Sequence, residues 1–423
     1  MKSTLTGKKL LVLGGANQHL KIVEAAKEMG IYTIVTDYLF NSPCKRVCDE
    51  SLMLNVSDVD GIVDYCRKNQ VDGVISGFLD PCQIPYARIC EELGLPCFGT
   101  PEQFFQFTNK IAFKRLCKLN GVNVIPDYSE ADIKNDAIKY PVFVKPVDSR
   151  GSRGQTVCYS KKRILDAVRV AKEQSSNGEV LIEEFMGECD EVQITCFLIE
   201  GKIYLERTVD SYRGSAKRNL QKVVCCSVSP SKYTNDYLQS THASVCRMIH
   251  ALGIQNGPIF MQGFYKDGQF YFFDPGLRFP GVEFERIYKD VFGVDLAKLL
   301  IQFAFTGSFP QGTILPQNGA NLNGRIGVVF FPTLNEGKIK KIVGLDRFCK
   351  DARVVSCLTR YAEGDIVNMT CDVNQRFAEI DAVCEDYEEL AGVIDSFYAQ
   401  VSVTDDSGND MLYDRFDIKR LNE

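Results

Sequence analysis

Pro258–Gly281 reads PIFMQGFYKDGQFYFFDPGLRFPG: two aromatic-rich runs around Asp267-Gly268, the pattern of an antiparallel hairpin. How its strands align decides what it can hold. With a bulge or a three-residue loop, Gln262 and Asp274 become cross-strand partners on one face. With a plain two-residue turn they fall on opposite faces. An amide oxygen beside a carboxylate suits magnesium, which shares its shell with phosphates and water. Arg278, four residues past Asp274, adds a rigid cation able to hold a transferring phosphoryl group. A structural ion pair beside aromatic strands is the plainer reading of the same residues.

A second stretch, VFVKPVDSRGSRGQTV at 142–157, places a lysine at the end of an apolar run and a Gly/Ser/Arg loop after it. This is no Walker loop, where the glycines precede the lysine and a helix follows. Strand alternation sends Val142 and Val144 to one face, Phe143 and Lys145 to the other. Lys145 then offers a compact charge to phosphate oxygens, and the loop's backbone N–H groups form an anion nest. A solvated hairpin loop is the alternative. A third stretch, EVLIEEFMGECDEVQI at 179–194, runs an apolar strand into Glu183-Glu184, Phe185-Met186 and Asp190-Glu191. Such a hinge presents backbone groups to an adenine edge, Met186 to the ring and Glu191 to ribose hydroxyls; an ordinary strand with a polar turn reads the same way.

Working outward, the first hundred residues alternate strand and helix. KKLLVLGG, IYTIVTD, VDGVIS and GLPCFG read as four strands, with helices after Gly15 and at roughly 58–69 and 82–93. That is a parallel βαβ sheet with ligand groups at its strand ends. Asp37 lies 22 residues beyond Gly15, which raises a dinucleotide-binding dehydrogenase, but GGANQH lacks the third glycine of that fingerprint. Thr100-Pro101-Glu102-Gln103 is a capping box, and Asn109-Lys110 leads into a second helix that Gly121 stops. From 140 the period changes to two, and after 310 a further strand-rich section precedes a helix near 386–399.

Composition bounds the function. The 423 residues suffice for two or three cores, and a charge of 49 − 55 = −6 with no basic run argues against nucleic acid. No apolar stretch approaches the roughly 18 residues that span a bilayer, and the N-terminus has no signal-peptide pattern, so a cytoplasmic place is expected. The 17 cysteines show no zinc-like spacing and read as small buried hydrophobes; with only three histidines, any metal is expected on oxygen ligands. In LERTVDSYRGSAKRN, 205–219, the cations Arg207, Arg213, Lys217 and Arg218 face an acidic substrate or solvent. Arg207, nearest the preceding strand, is the one expected to act.

Together with FGTPEQFFQFTNKIAFKRLCKLNGV at 98–122, these stretches resemble the ATP-grasp superfamily, in particular its carboxylate–amine ligases and the carbamoyl phosphate synthetase large subunit. No single piece is specific; the order of the five is. The resemblance implies a Rossmann-like pre-ATP-grasp α/β domain at 1–105 and an α+β ATP-grasp fold at 106–310, with a mobile lid at about 122–182. A strand-rich α+β C-terminal subdomain would follow at 311–423. It implies ATP and Mg²⁺, with Lys110 and Lys145 on the phosphates and Ser152 and Gly154 in the loop over them. Glu183, Glu184 and Met186 would form the adenine hinge and Glu191 the ribose contact, with Gln262 and Asp274 on the metal. Arg278 would stabilise an acyl phosphate.

The implied activity joins a small carboxylic acid to an amine, without nucleic acid or membrane, with a homodimer as the family habit. One departure stands out. The usual Glu-x-Asn-x-Arg is here Asp274-Pro275-Gly276-Leu277-Arg278, so Gly276 replaces an asparagine metal ligand. Water, Glu283 or Glu285 would have to substitute, or one metal would bind weakly. A nucleotide-binding protein with weak or lost ligase activity, and an enzyme phosphorylating a carboxylate or carbamate, are the rival readings.

Overall fold

The structure is a computed structural model that describes residues 5–147, 154–175, 178–215, 220, 223–281 and 284–422. Its first unit is a four-stranded parallel sheet of β1 (Lys9–Leu13), β2 (Tyr32–Thr36), β3 (Glu50–Leu52) and β4 (Gly73–Ile75), in the order β3-β2-β1-β4. Helices α1 (Leu20–Glu28), α2 (Val59–Asn69) and α3 (Asp80–Leu93) connect it. The apolar runs of β1, β2 and β4 are buried on both faces, as parallel strands require.

Two sequence expectations change here. Residues 94–99 form no strand, because Gly94 ends α3 in the left-handed region (φ 65°) and Pro96 has no N–H for a ladder. The fourth strand is the short, half-exposed β3. The dehydrogenase reading also fails. The Asp37 carboxylate accepts from the Gly15 and Leu39 N–H groups, both at 2.8 Å, so it ties its own loop together instead of waiting for a ribose.

Helix α4 (Pro101–Thr108) starts with the expected reciprocal capping box, and the Asn109 side chain caps α5 (Lys110–Leu119). After the short α6 (Glu130–Lys134) comes a small antiparallel sheet. It comprises β5 (Val142–Pro146), β6 (Thr156–Cys158) and β7 (Val180–Glu184), in the order β6-β5-β7, with α7 (Lys161–Gln174) packed on it. Val142 and Val144 enter its separate core with Cys158, Ile164, Ala167 and Ala171, which leaves Lys145 on the opposite face.

The next strands are β8 (Asp190–Ile199), β9 (Lys202–Arg213) and β10 (Val224–Ser229). Helices α8 (Thr234–Ser240) and α9 (His242–Ala251) lead to the hairpin of β11 (Gly257–Lys266) and β12 (Gln269–Gly276). Then come α10 (Glu285–Phe292), α11 (Leu296–Thr306) and β13 (Ile326–Phe330). The C-terminal part holds β14 (Thr333–Leu334), β15 (Gly337–Val343), α12 (Leu345–Phe348), β16 (Val354–Thr359), β17 (Ile366–Val367), β18 (Ala378–Cys384), α13 (Tyr387–Gln400), β19 (Ser402–Asp405) and β20 (Leu412–Tyr413).

One eight-stranded sheet, β12-β11-β8-β9-β10-β13-β18-β16, spans both halves, so the chain on either side of residue 310 shares a single layer. All 17 cysteines are free and are buried or half-buried. Among the described residues no helix is long and apolar enough to cross a membrane.

Candidate functional site

The hairpin turns on two residues, Asp267 and Gly268, both at positive φ, and Lys266 pairs with Gln269. By itself that turn would separate Gln262 from Asp274. A bulge inside the ladder reverses the outcome: Gly263 pairs with Phe272, Phe273 is the extra residue, and Gln262 pairs directly with Asp274. Direct partners in an antiparallel sheet project to one face. The row Asp274–Gln262–Gln193 and the next, Gly276–Phe260–Thr195–Arg207, therefore share a face with Glu191.

Asp274 has no hydrogen-bond partner among the described residues. Burial raises its pKa above the ordinary value, Asp80 adds to the rise, and the charges of Lys110, Arg278 and Lys145 oppose it. Gln262 Nε2 donates to Glu191 Oε1 at 3.2 Å, which leaves the amide oxygen as an acceptor beside Asp274. Two oxygen groups thus stand in the field of three cations, of which Lys110 has no ion pair among the described residues.

The Glu183 side chain is buried between Lys145 Nζ and Lys114 Nζ, each 2.6 Å away. Burial would push this carboxyl up, but Lys145 and Lys114 bring it below its ordinary value. The Glu184 N–H donates to the Pro126 carbonyl at 2.9 Å and Tyr128 N–H to Ile182 at 2.8 Å, so the residue facing the Glu184 carbonyl is Pro126, which has no N–H to give. The Glu184 carboxylate pairs with Lys266 at 2.6 Å.

Met186 is buried against Ile125 and Phe264, an apolar floor bordered by Phe273. Glu191 faces a hollow of about 140 Å³ with Cys189, Phe264 and Arg213, whose Nε lies 2.5 Å from its carboxylate. Gly154 sits at φ 68°, where a Cβ would lie 2.9 Å from Pro146 Cγ, so the loop's return demands glycine. Ser152 lies outside the described residues, as do Lys217, Arg218 and Glu283.

Arg278 is held in a bidentate pair by Asp80, the first residue of α3, at 2.5 and 2.7 Å, and lies over the Phe260 ring at 4.7 Å. A first-unit carboxylate therefore occupies the guanidinium fork expected to meet substrate. Gly276 also finds its reason: a Cβ there would stand 2.3 Å from Phe260 Cε1. Phe260 fills the place that an asparagine side chain would need. Glu285 cannot compensate, because it pairs with Lys21 and, at 3.0 Å, with Arg207.

Arg207 itself corrects the sequence reading. It is fully buried, with Glu206 and Glu285 both at 3.0 Å, so it braces β9 against α10 instead of facing a substrate. A larger hollow of about 480 Å³ near Lys21, Glu24, Glu285 and Arg286 is a groove between paired charges. Sequence reasoning missed Asp80, Lys114 and Phe260. Lys114 had a signal, standing one helical turn from Lys110; Asp80 had none, since another unit supplies it.

Residues 106–311 match the family model of the carbamoyl-phosphate synthase L chain ATP binding domain. These residues, just under half of the chain, carry its likeness to the ATP-grasp superfamily. It is 26% identical over 188 residues to a formate-dependent phosphoribosylglycinamide formyltransferase of Prochlorococcus marinus, covering 42% of this chain and 48% of that one. It is 24% identical to pyruvate carboxylase of Bacillus subtilis over 326 residues, 70% of this chain and 27% of that one. The chain thus spans half or less of these two relatives.

Two solved structures share the fold across nearly the whole chain. Phosphoribosylglycinamide synthetase of Anaerococcus prevotii gives a TM-score of 0.75 at 21% identity, covering 94% of this chain and all of that one. L-amino acid ligase of Bacillus licheniformis gives 0.74 at 19%, covering 95% and 100%. Within the stretch the family model matches, Asp274 feels the charges of Lys110, Arg278 and Lys145, and Gln262 pairs with it across the hairpin.

Proposed function

We propose that this chain is an ATP-dependent ligase that phosphorylates a small carboxylic acid, an amino acid among the candidates, and passes the acyl group to an amine. The observation that carries the reading is the bulge that pairs Gln262 with Asp274, a carboxylate that feels the charges of Lys110, Arg278 and Lys145. Lys110 and Lys145 would hold the phosphates of ATP. Gln262 and Asp274 would hold Mg²⁺, which supplies charge neutralisation to a phosphoryl group in transit. Arg278 already grips a planar carboxylate, that of Asp80, in the geometry suited to a carboxylate or acyl phosphate.

Such a site works by positioning and charge, so no protein nucleophile is needed. Among the described residues no three His, Cys, Asp or Glu side chains cluster to hold a metal by themselves. The separate division into units at 1–105, 106–310 and 311–423, and a homodimer in solution, belong to the same proposal.

The test is ADP release with magnesium against pools of amino acids and small carboxylic acids, for wild type beside Arg278→Ala. One active pool, silenced by the substitution, is the expected result. A second reading is favoured by Gly276: a protein that binds nucleotide with weak or lost ligase activity. ATP binding without turnover in any pool supports it. An acyl or carbamoyl phosphate accumulating without amine transfer identifies a carboxylate- or carbamate-phosphorylating enzyme instead.

A further inference from the structure

Three lysines and one arginine gather within one neighbourhood, and the carboxylates there do not balance them. Lys110, Lys145 and Arg278 act on Asp274, and Asp80 answers Arg278. Lys145 and Lys114 share the single carboxylate of Glu183, one ammonium on each oxygen. Lys114 lies 3.6 Å from Asp127, but Asp127 already has the exposed Lys118 at 2.9 Å. Burying an ammonium is costly unless it is paired, and here two are spent on one anion. An anion is the missing partner, and phosphate oxygens supply it.

The topology explains why two lysines are needed on Glu183. Lys110 and Lys114 stand four apart on α5, so one helix face delivers both. Phe143 pairs with Glu183 and Lys145 with Leu181, which sets Lys145 diagonally across from Glu183 on the same face of the small sheet. Were Lys145 the only cation on a buried carboxylate, leaving it for a phosphate would strand that charge. With Lys114 in place the carboxylate stays neutralised, and Lys145 is free to be shared.

We infer that Lys114 is a positioning residue for nucleotide binding: it holds Glu183 so that the Lys145 ammonium is available to phosphate. This rests on the ATP-ligase reading. Lys114 touches no phosphate itself; it acts through Glu183.

The experiment measures Mg-ATP affinity by isothermal titration, independently of turnover. Wild type that fails to bind ATP sinks the ligase reading and makes the comparison moot as a test of that reading alone. Given wild-type binding, Lys114→Met should weaken ATP by roughly tenfold, the scale of one charge-assisted hydrogen bond. Lys114→Arg should restore most of it. Lys114→Met combined with Lys145→Met should bind no worse than Lys145→Met alone, because the effect passes through Lys145. Adding Glu183→Gln to Lys114→Met should recover affinity, since an uncharged partner no longer pins Lys145.

Two results overturn the inference. One is ATP affinity in Lys114→Met equal to wild type. The other is losses from Lys114→Met and Lys145→Met that multiply, with no recovery from Glu183→Gln. If Lys114→Met does not fold, Lys114→Gln, which keeps a hydrogen bond without the charge, replaces it in every comparison.

Discussion

Two groups of charges stand on the same face of the large sheet, one row apart, and they differ in what they leave open. Around Arg207 the ion pairs to Glu206 and Glu285 are sealed, with all three side chains almost wholly buried and Lys21 closing the far end. Around Asp274 the carboxylate lacks a partner, Gln262 keeps a bare oxygen, and Lys110 pairs with nothing described. Residue types alone would not separate them, since each offers an arginine or lysine beside acids. Access does: the first group is shut away from solvent and acts as a strut, whereas Asp274, Gln262 and Lys110 are only half-buried and form a site.

The comparison breaks most easily at the strut. Arg207→Met leaves Glu206 and Glu285 buried with half their counter-charge, and should cost about 3–5 kcal/mol in urea denaturation. ATP affinity should survive in whatever fraction stays folded. Asp274→Asn should do the reverse. Magnesium-dependent turnover should fall by more than the roughly 10–100-fold typical of losing a group that only supports a ligand. The melting temperature without nucleotide should hold or rise, because an unpartnered, desolvated carboxylate has gone. Equal losses of stability in both variants would erase the distinction.

Gly276→Asn tests the border between the two. Its Cβ meets Phe260 at 2.3 Å, so overpacking should destabilise by about 1–3 kcal/mol, and Phe260→Ala should relieve it. The smallest expected effect is a pH slope. Burial raises the Glu206 carboxyl from 4.5 to about 7, with Arg207 and Lys21 opposing and Glu285 adding to the rise. The folded state therefore binds more protons than the unfolded one between those values. The contribution is full below about pH 4.5 and lost as pH climbs through 7. Melting temperatures from pH 5 to 8 should decline, and Glu206→Gln should flatten that decline.

Much of this was legible in the chain because it is written locally. Capping boxes, the Asp267-Gly268 turn and the alternation of 142–145 depend on neighbours in sequence. The Gln262–Asp274 pair was legible only as a condition, since no residue pattern announces that Phe273 will be skipped. Arg207 was misread because burial by α10, some eighty residues later, cannot be seen from a basic loop. The two lysines on Glu183 were not legible, because the motif gives the strand but not which face its side chain takes. Asp80 was invisible, as a contact between segments 198 residues apart leaves no mark on either one.

A single imino acid also bears on the nucleotide choice of the proposed enzyme. Because Pro126 offers no hydrogen to the Glu184 carbonyl, that oxygen would, on the proposed reading, reward a ligand carrying an amino group and repel one presenting a keto oxygen in the same place. Adenine carries the first at its outer edge and guanine the second. Replacing Pro126 with alanine would let the main chain answer itself, and the discrimination between the two purines would narrow.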